Sequence, residues 1–514
     1  MRLSLLYVSL LAACTTSTET TDSTNDDSAA LPDSGDSGNS VDSGDPCVDD
    51  PNAEGCVVDT VEWEADCLGA GFDCATVAVP ADPSDPDGAT VELFVGVHRH
   101  TSGTFNGVLF ANFGGPGSAS TDYLAFFANA LGRVGQTYDV VAVDPRGTGG
   151  SEPLECAGDV DAMDAMYQAM NGSSDPADIQ GMMDTIDAFH TECHDAAPDL
   201  LDHMSNNVWA DDLDAVRAAM GFSTISYYGA SAGTSLGLAY GERHPERVDR
   251  FVLDSIASPY GGWESLHTYQ TAAFPGLVEE WAADCSADPS CPIADDPIGA
   301  MSRVLDRAAT DPLKVGGRKL DWATAAYGVV SHFYDTASWD TLSHALYAAD
   351  AGNGQVLLSA GDGYLGRTDA GYDPGGILFF AVECADTSWS PDAEGLSARV
   401  AESEATYGAA GGLTRLLELE GAWCNAWPKQ ADGVSAAPTG AGTPPYLLVQ
   451  GIYDAATPLP GGLAVQSALV NGSPMLQVKS ASHVQFFGSA CAAENVLDYF
   501  SDGTLPADGT VCEE

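Results

Sequence analysis

The stretch Ile225-Ser226-Tyr227-Tyr228-Gly229-Ala230-Ser231-Ala232-Gly233-Thr234 decides how the chain reads. A β-branched and aromatic run leads into Gly-x-Ser-x-Gly, and a helical pattern follows that ends before Pro245. Strand, sharp turn and helix is the setting in which this pattern forms a nucleophile elbow. Ser231 then sits at the tip in a strained conformation, and Gly229 and Gly233 lack side chains because strand and helix backbones nearly touch there. Glycine and serine are abundant in this chain, so the five-residue pattern alone is as compatible with coincidence as with catalysis. The rest of the sequence has to decide it.

Upstream, residues 107–112 are a continuous apolar run, the mark of a strand buried on both faces. It opens directly into Phe113-Gly114-Gly115-Pro116-Gly117-Ser118. A glycine-rich turn at a strand end lets the backbone approach a ligand and aim N–H groups at it. Gly114 and Gly115, together with Ala232 after the serine, are therefore candidate oxyanion-hole residues. Residues 138–144 form another buried strand, followed by Pro145-Arg146-Gly147-Thr148-Gly149, which lacks the Lys-Ser/Thr signature of a phosphate loop. Residues 74–80 and 90–99 read as strands joined by a turn at 82–88, whose prolines favour a plain hairpin over a calcium loop. Residues 175–221 turn helical, with an amphipathic helix at 211–220 stopped by Gly221. His190 and His194 flank Glu192 and Cys193, but this is not His-Glu-x-x-His, and no metal is expected.

Downstream of the elbow, residues 247–254 read as the next strand. Alternation is lost over residues 260–440, where Trp, Tyr, Ala and Leu recur at helical spacing. It resumes with strands at 446–451 and 475–479. Strands alternating with helices imply a mostly parallel sheet, so the expected class is α/β with a largely helical cap inserted before the late strands.

Acyl transfer by a serine needs a base to take its proton, an acid to orient that base, and donors for the oxyanion. Gly451-Ile452-Tyr453-Asp454 puts a carboxylate just past one strand, and Ser480-Ala481-Ser482-His483 puts an imidazole just past the next. The chain order Ser231, Asp454, His483 is the one an α/β-hydrolase sheet requires. Each residue alone is ordinary, whereas three at successive strand ends in that order form a candidate triad. No cofactor is expected.

The N-terminus has a different composition. After Met1-Arg2 comes a short apolar run to Leu11, then Ala12-Ala13-Cys14. Small residues directly before a cysteine look like a lipoprotein signal, which makes 1–14 a signal segment ending at a lipidated Cys14. The apolar run is too short to span a bilayer. Residues 15–46 are Thr, Ser, Asp, Gly and Asn, and can bury too little to offset the entropy of ordering, so they read as a disordered acidic tether. A lipidated Cys14 removes one of 13 cysteines and leaves an even remainder, which in an exported chain favours disulfides. Local spacing suggests Cys47/Cys56, Cys67/Cys74, Cys156/Cys193, Cys285/Cys291, Cys384/Cys424 and Cys491/Cys512, although spacing does not determine connectivity. With 18 Lys+Arg against 75 Asp+Glu the formal net charge is -57, which disfavours nucleic acid as a partner. Such a surface serves solubility, or attracts cationic substrates.

Jointly the motifs resemble the tripeptidyl aminopeptidase and proline iminopeptidase branch of the α/β-hydrolases. The matching pieces are Cys67…Cys74-Ala75-Thr76-Val77-Ala78-Val79-Pro80, Gly114-Gly115-Pro116-Gly117-Ser118, Asp144-Pro145-Arg146-Gly147-Thr148-Gly149 and Tyr228-Gly229-Ala230-Ser231-Ala232-Gly233-Thr234. Cys384-Ala385-Asp386, Cys424…Trp427-Pro428, Gly451…Asp454…Thr457-Pro458, His483 and Cys491…Cys512 complete them. The resemblance spans about residues 63–512. It implies release of short peptides or single residues from free N-termini, with the cap shaping the pocket. Such an enzyme needs acids for the substrate ammonium, and Glu383 and Asp386 are the candidates. Three positions depart from the branch: Ala232 stands where Tyr is usual, Phe113 where Asn or His is frequent, and Ser482 where Gly is common.

The expected layout is a hydrolase core over 47–259 and 441–514 around a cap at 260–440. The chain would be a monomer, meeting peptides as substrates and a bacterial envelope membrane through its lipid anchor only. An esterase or lipase with the same triad is the first alternative, and a catalytically silent envelope binding protein the second.

Overall fold

A computed structural model describes residues 60–257, 262–427 and 436–513. The signal segment, the tether, Cys14, Cys47, Cys56 and Pro428 lie outside the described residues. The chain first forms an antiparallel hairpin of β1 (Asp73–Pro80) and β2 (Thr90–His98), as the alternation predicts. Four strands follow: β3 (Val108–Asn112), β4 (Asp139–Val143), β5 (Ile225–Ala230) and β6 (Val248–Asp254). A small hairpin, β7 (Leu313–Val315) and β8 (Arg318–Leu320), stands apart. The chain then returns with β9 (Leu447–Gly451), β10 (Met475–Val478) and β11 (Val511–Cys512). The large sheet runs β1-β2-β4-β3-β5-β6-β9-β10-β11. From β4 to β11 every neighbouring pair is parallel. This is the α/β-hydrolase architecture.

Parallel pairing sends the carboxyl ends of β3, β5, β9 and β10 to the same edge of the sheet, where α/β proteins bind ligands. All residues of β3, β4, β5 and β9 are buried, which explains their continuous apolar runs. Successive side chains face opposite layers. Tyr227, Phe251 and Leu448 join the larger core, while Tyr228, Val252 and Leu447 join a second core with Phe127, Tyr499 and Phe500. Each such side chain stabilises the fold by about 1.5–3 kcal/mol on burial.

Between β6 and β9 the chain is mostly helical. The helices Gly262–Ala287, Trp322–Val330, Gln355–Tyr364, Gly375–Ala385 and Thr414–Glu420 build a layer over the carboxyl edge. The β7–β8 hairpin lies within this otherwise helical stretch. A second segment joins the layer from between β4 and β5. Asp164, on the helix Val160–Ala169, accepts two hydrogen bonds from Arg367 (2.7 and 2.8 Å) and one from Tyr372 Oη (2.6 Å). The amphipathic helix at 211–220 starts earlier than its pattern suggests, as Asn206–Ala219, because Ser205 accepts from Val208 N–H as an N-cap.

Among the described residues five disulfides join Cys67–Cys74, Cys156–Cys193, Cys285–Cys291, Cys384–Cys424 and Cys491–Cys512. Cys193 is thus occupied, and its neighbour His190 is buried against Trp423 and Trp427, where burial pushes the imidazole down to about 3. Among the described residues no helix is long and apolar enough to cross a membrane.

Candidate active site

Ser231 links β5 to the helix Ala232–Arg243 with φ 55° and ψ -127°. A non-glycine residue avoids this region, and holding one there costs about 1–3 kcal/mol. The surroundings enforce it. Ser231 N–H donates to Asp254 O at 2.9 Å, and Tyr227 Oη donates to Gly233 O at 2.7 Å. A Cβ on Gly229 would lie 2.4 Å from Gly233 O, and one on Gly233 2.5 Å from Asn112 O. Both motif glycines are therefore required by close backbone approach.

Asp454 and His483 come together as a buried pair, with Nδ1 of the imidazole 2.8 Å from Asp454 Oδ2. The carboxylate is saturated with donors. Oδ1 accepts from Ala456 N (2.9 Å) and Thr457 N (3.1 Å), and Oδ2 also accepts from Thr457 Oγ1 (2.8 Å). This arrangement leaves Nε2 as the outward nitrogen, buried and without a hydrogen-bond partner among the described residues. No hydrogen bond joins it to Ser231 Oγ, a looseness common before substrate binds. The histidine loop is tied to the elbow from below. Asp254, at the end of β6, accepts from Tyr228 Oη (2.9 Å), Gln485 N (2.9 Å) and Phe486 N (2.8 Å). Burial raises the Asp254 carboxyl above its ordinary range, against the pull of these donors.

The glycine turn after β3 lies against the elbow. A Cβ on Gly114 (φ 86°) would meet Ala230 O at 2.6 Å and Ala232 N at 2.9 Å. Its own N–H donates to Asn112 Oδ1 at 2.9 Å, so Gly114 supplies close approach and not a donor. Gly115 and Ala232 line the cavity beside Ser231.

The cavity over Ser231 encloses about 1,390 Å³ including its open mouth. Its walls are aromatic, with Trp263, Tyr327, Tyr334, Tyr364 and Phe380 prominent, and four acids line it: Asp122, Asp373, Glu383 and Glu420. Burial pushes Glu383 up to about 8, with Asp386 nearby adding to the rise. Burial likewise pushes Glu420 up to about 8, although Tyr327 Oη donates to its Oε1 at 2.8 Å. Asp386 does not line the cavity. Its Oδ2 accepts from Asn206 N (3.1 Å) and Asn206 Nδ2 (2.7 Å), which anchors the start of the helix Asn206–Ala219.

Residues 414–512 match the family described as TAP-like protein. Serine protease Hip1 of Mycobacterium tuberculosis is 29% identical over 459 residues, covering 85% of this chain and 87% of the relative. Tripeptidyl aminopeptidase of Streptomyces lividans is 28% identical over 477 residues, covering 88% and 86%. Carboxylesterase B of Mycobacterium tuberculosis is 32% identical over 455 residues, covering 85% and 86%. The chain belongs to the tripeptidyl-aminopeptidase-like family of α/β-hydrolases. It is a serine hydrolase.

Within this tripeptidyl-aminopeptidase-like chain the departures have local causes. Phe113 packs with Tyr123, Phe127 and Tyr228, filling the space behind the glycine turn. Ser482 Oγ reaches the helical layer, accepting from Thr336 N (3.4 Å) and donating to Asp335 Oδ1 (3.5 Å). Two site residues escaped the sequence reading. Thr457 was visible only as part of a motif, with no role attached. Glu420 resembles any helical acid, and Glu418 two positions earlier binds Arg399 instead (2.5 Å).

Proposed function

We propose that the chain is a serine exopeptidase releasing short peptides or single residues from free N-termini. The observation that carries this reading is the pair of glutamates, half-buried Glu383 and buried Glu420, that line the cavity also containing Ser231. A buried carboxyl held protonated can ionise when an ammonium arrives, and the pair then satisfies two charges at once.

Ser231 is the nucleophile, His483 the base and Asp454 the acid that orients it. His483 Nε2 takes the proton from Ser231 Oγ as the oxygen attacks the peptide carbonyl. The N–H groups of Ala232 and Gly115 hold the oxyanion, each such donor being worth about 10²–10³ in rate. The bond to the leaving amine breaks as His483 returns the proton to its nitrogen, and water, deprotonated by His483, then releases the acyl group. Turnover of an N-terminally free tripeptide nitroanilide is lost in Ser231→Ala, together with fluorophosphonate labelling. Retention of both would contradict the assignment. The identity with carboxylesterase B favours ester hydrolysis as a second reading, since the same triad serves both.

The five disulfides support an exported chain. Cys14 is the anchor in this reading. Cys14→Ala is expected to move the protein from the membrane to the soluble fraction, and an unchanged membrane fraction would refute a lipid anchor.

A further inference from the structure

Three tyrosines of the helical layer connect one of the buried acids to the histidine. Tyr327 Oη donates to Glu420 Oε1 at 2.8 Å. The Tyr327 ring stacks on Tyr364, with centroids 5.4 Å apart and planes at 19°. The Tyr364 and Tyr334 hydroxyls share a hydrogen bond at 3.0 Å. Tyr334 ends the chain on His483 itself. Its ring meets the imidazole edge-on, with centroids 5.3 Å apart at 87°, and its carbonyl accepts from His483 N–H at 2.8 Å. All three tyrosines line the cavity. Asp454 holds the imidazole at Nδ1, and Tyr334 brings the helical layer against the same ring.

We propose that Tyr334 is a positioning residue for His483. The tyrosine chain carries the occupancy of the Glu420 end of the cavity to the imidazole, so that a free N-terminus raises kcat as well as lowering KM. The inference rests on the roles proposed above for Ser231, His483 and Glu420.

The physical basis is a difference in bonding between two states of Glu420, without which a ligand could shift nothing. In the empty cavity burial favours the neutral carboxyl, and Tyr327 donates to it as to any neutral acceptor. A bound ammonium leaves Glu420 ionised, and the same hydrogen bond becomes charge-assisted, shorter and stronger. Tyr327 moves with it. The stacked and hydrogen-bonded rings are close-packed and transmit small displacements without absorbing them. Tyr334 then settles against the imidazole, and Nε2 is aimed at Ser231 Oγ, where sub-ångström placement governs rate. Burial pushes the Tyr334 phenol up to about 12, so it remains a neutral hydrogen-bonding partner throughout the working range.

The test measures kcat and KM for wild type, Tyr334→Phe, Tyr364→Phe and the double variant. The substrates are a free tripeptide nitroanilide and p-nitrophenyl acetate, whose acyl group carries no amine. Each single change is expected to lower kcat on the tripeptide about five- to tenfold with little movement of KM, and the double variant to fall no further. The loss on p-nitrophenyl acetate is expected to be clearly smaller. A rise in KM with kcat retained would reduce the tyrosines to substrate contacts and overturn the proposal. Equal losses on both substrates, or additive losses in the double variant, would overturn it as well. Wild type provides a measurement independent of any variant's folding, because the N-acetylated tripeptide nitroanilide is expected to show a lower kcat than the free one. Equal kcat for the two would contradict the link. Turnover persisting in Ser231→Ala would instead sink the parent assignment.

Discussion

At the scale of single residues, the buried Asp454–His483 pair depends on Thr457. Its hydroxyl donates to Asp454 Oδ2 and stands 3.3 Å from His483 Nδ1. Thr457→Val keeps the shape and removes a hydrogen bond to a charged group, so kcat is expected to fall about tenfold with KM little changed. A steady-state assay that found kcat unaltered would remove Thr457 from the account. The acids act first on KM, and Glu420 reaches kcat only through the tyrosine chain. Glu420→Gln removes one partner of a buried charge pair and is expected to raise KM for free-amine substrates about 30-fold or more. Its pH dependence has a definite sign. Both carboxyls are raised to about 8, so below that pH they hold protons and the ammonium must displace them. Above about 8 the substrate's own α-amine loses its charge. KM for a free tripeptide is therefore expected to be lowest near pH 8 and to rise on both sides, whereas a blocked peptide lacks this minimum. The same profile for both peptides would show that the acids do not contact the N-terminus.

At the scale of elements, the disulfide Cys384–Cys424 joins the helix Gly375–Ala385, which carries Glu383, to the short helix Trp423–Ala426 just after Glu420. Converting both cysteines to serine is expected to raise KM more than it lowers kcat, because the two acids lose their common tie while β5, β9 and β10 keep the triad. A fall in kcat alone would contradict this division. The same division governs how far the sequence could be read. β3, β5, β9 and β10 were legible because parallel strands buried on both faces must be continuous apolar runs. Their carboxyl ends then exposed Ser231, Asp454 and His483 in order. β11 escaped, since two residues carry no periodicity, and so did the three-residue strands of β7–β8. Helical spacing revealed the layer above the site but not which side chains face the cavity. Glu420 faces the cavity, while the equally buried Glu418 is taken up by Arg399 and Thr271, because of contacts from distant segments. Asp386 sits beside Glu383 in sequence but is bound to Asn206, far earlier in the chain, a partner that local sequence does not reveal. The N–H of Gly114 was lost to Asn112 for a similarly local and invisible reason.

At the scale of the whole molecule, a chain of formal net charge -57 carries a cavity proposed to accept cationic N-termini. Long-range attraction between exposed charges is screened beyond about 8–10 Å at physiological salt. The ratio kcat/KM for a free-amine peptide is therefore expected to fall as salt rises from about 0.01 to 1 M, by more than that for a neutral ester. Parallel salt profiles would reduce the acidic surface to solubility alone. The account as a whole turns on what the helical layer admits to Ser231. The most direct measurement is kcat/KM for one tripeptide nitroanilide with its N-terminus free and then acetylated. The account predicts that the free form is cleaved faster by about 10² or more, with the intact tripeptide or its residues as the released product. Equal rates, or faster cleavage of the acetylated form, would contradict an exopeptidase that reads the N-terminus.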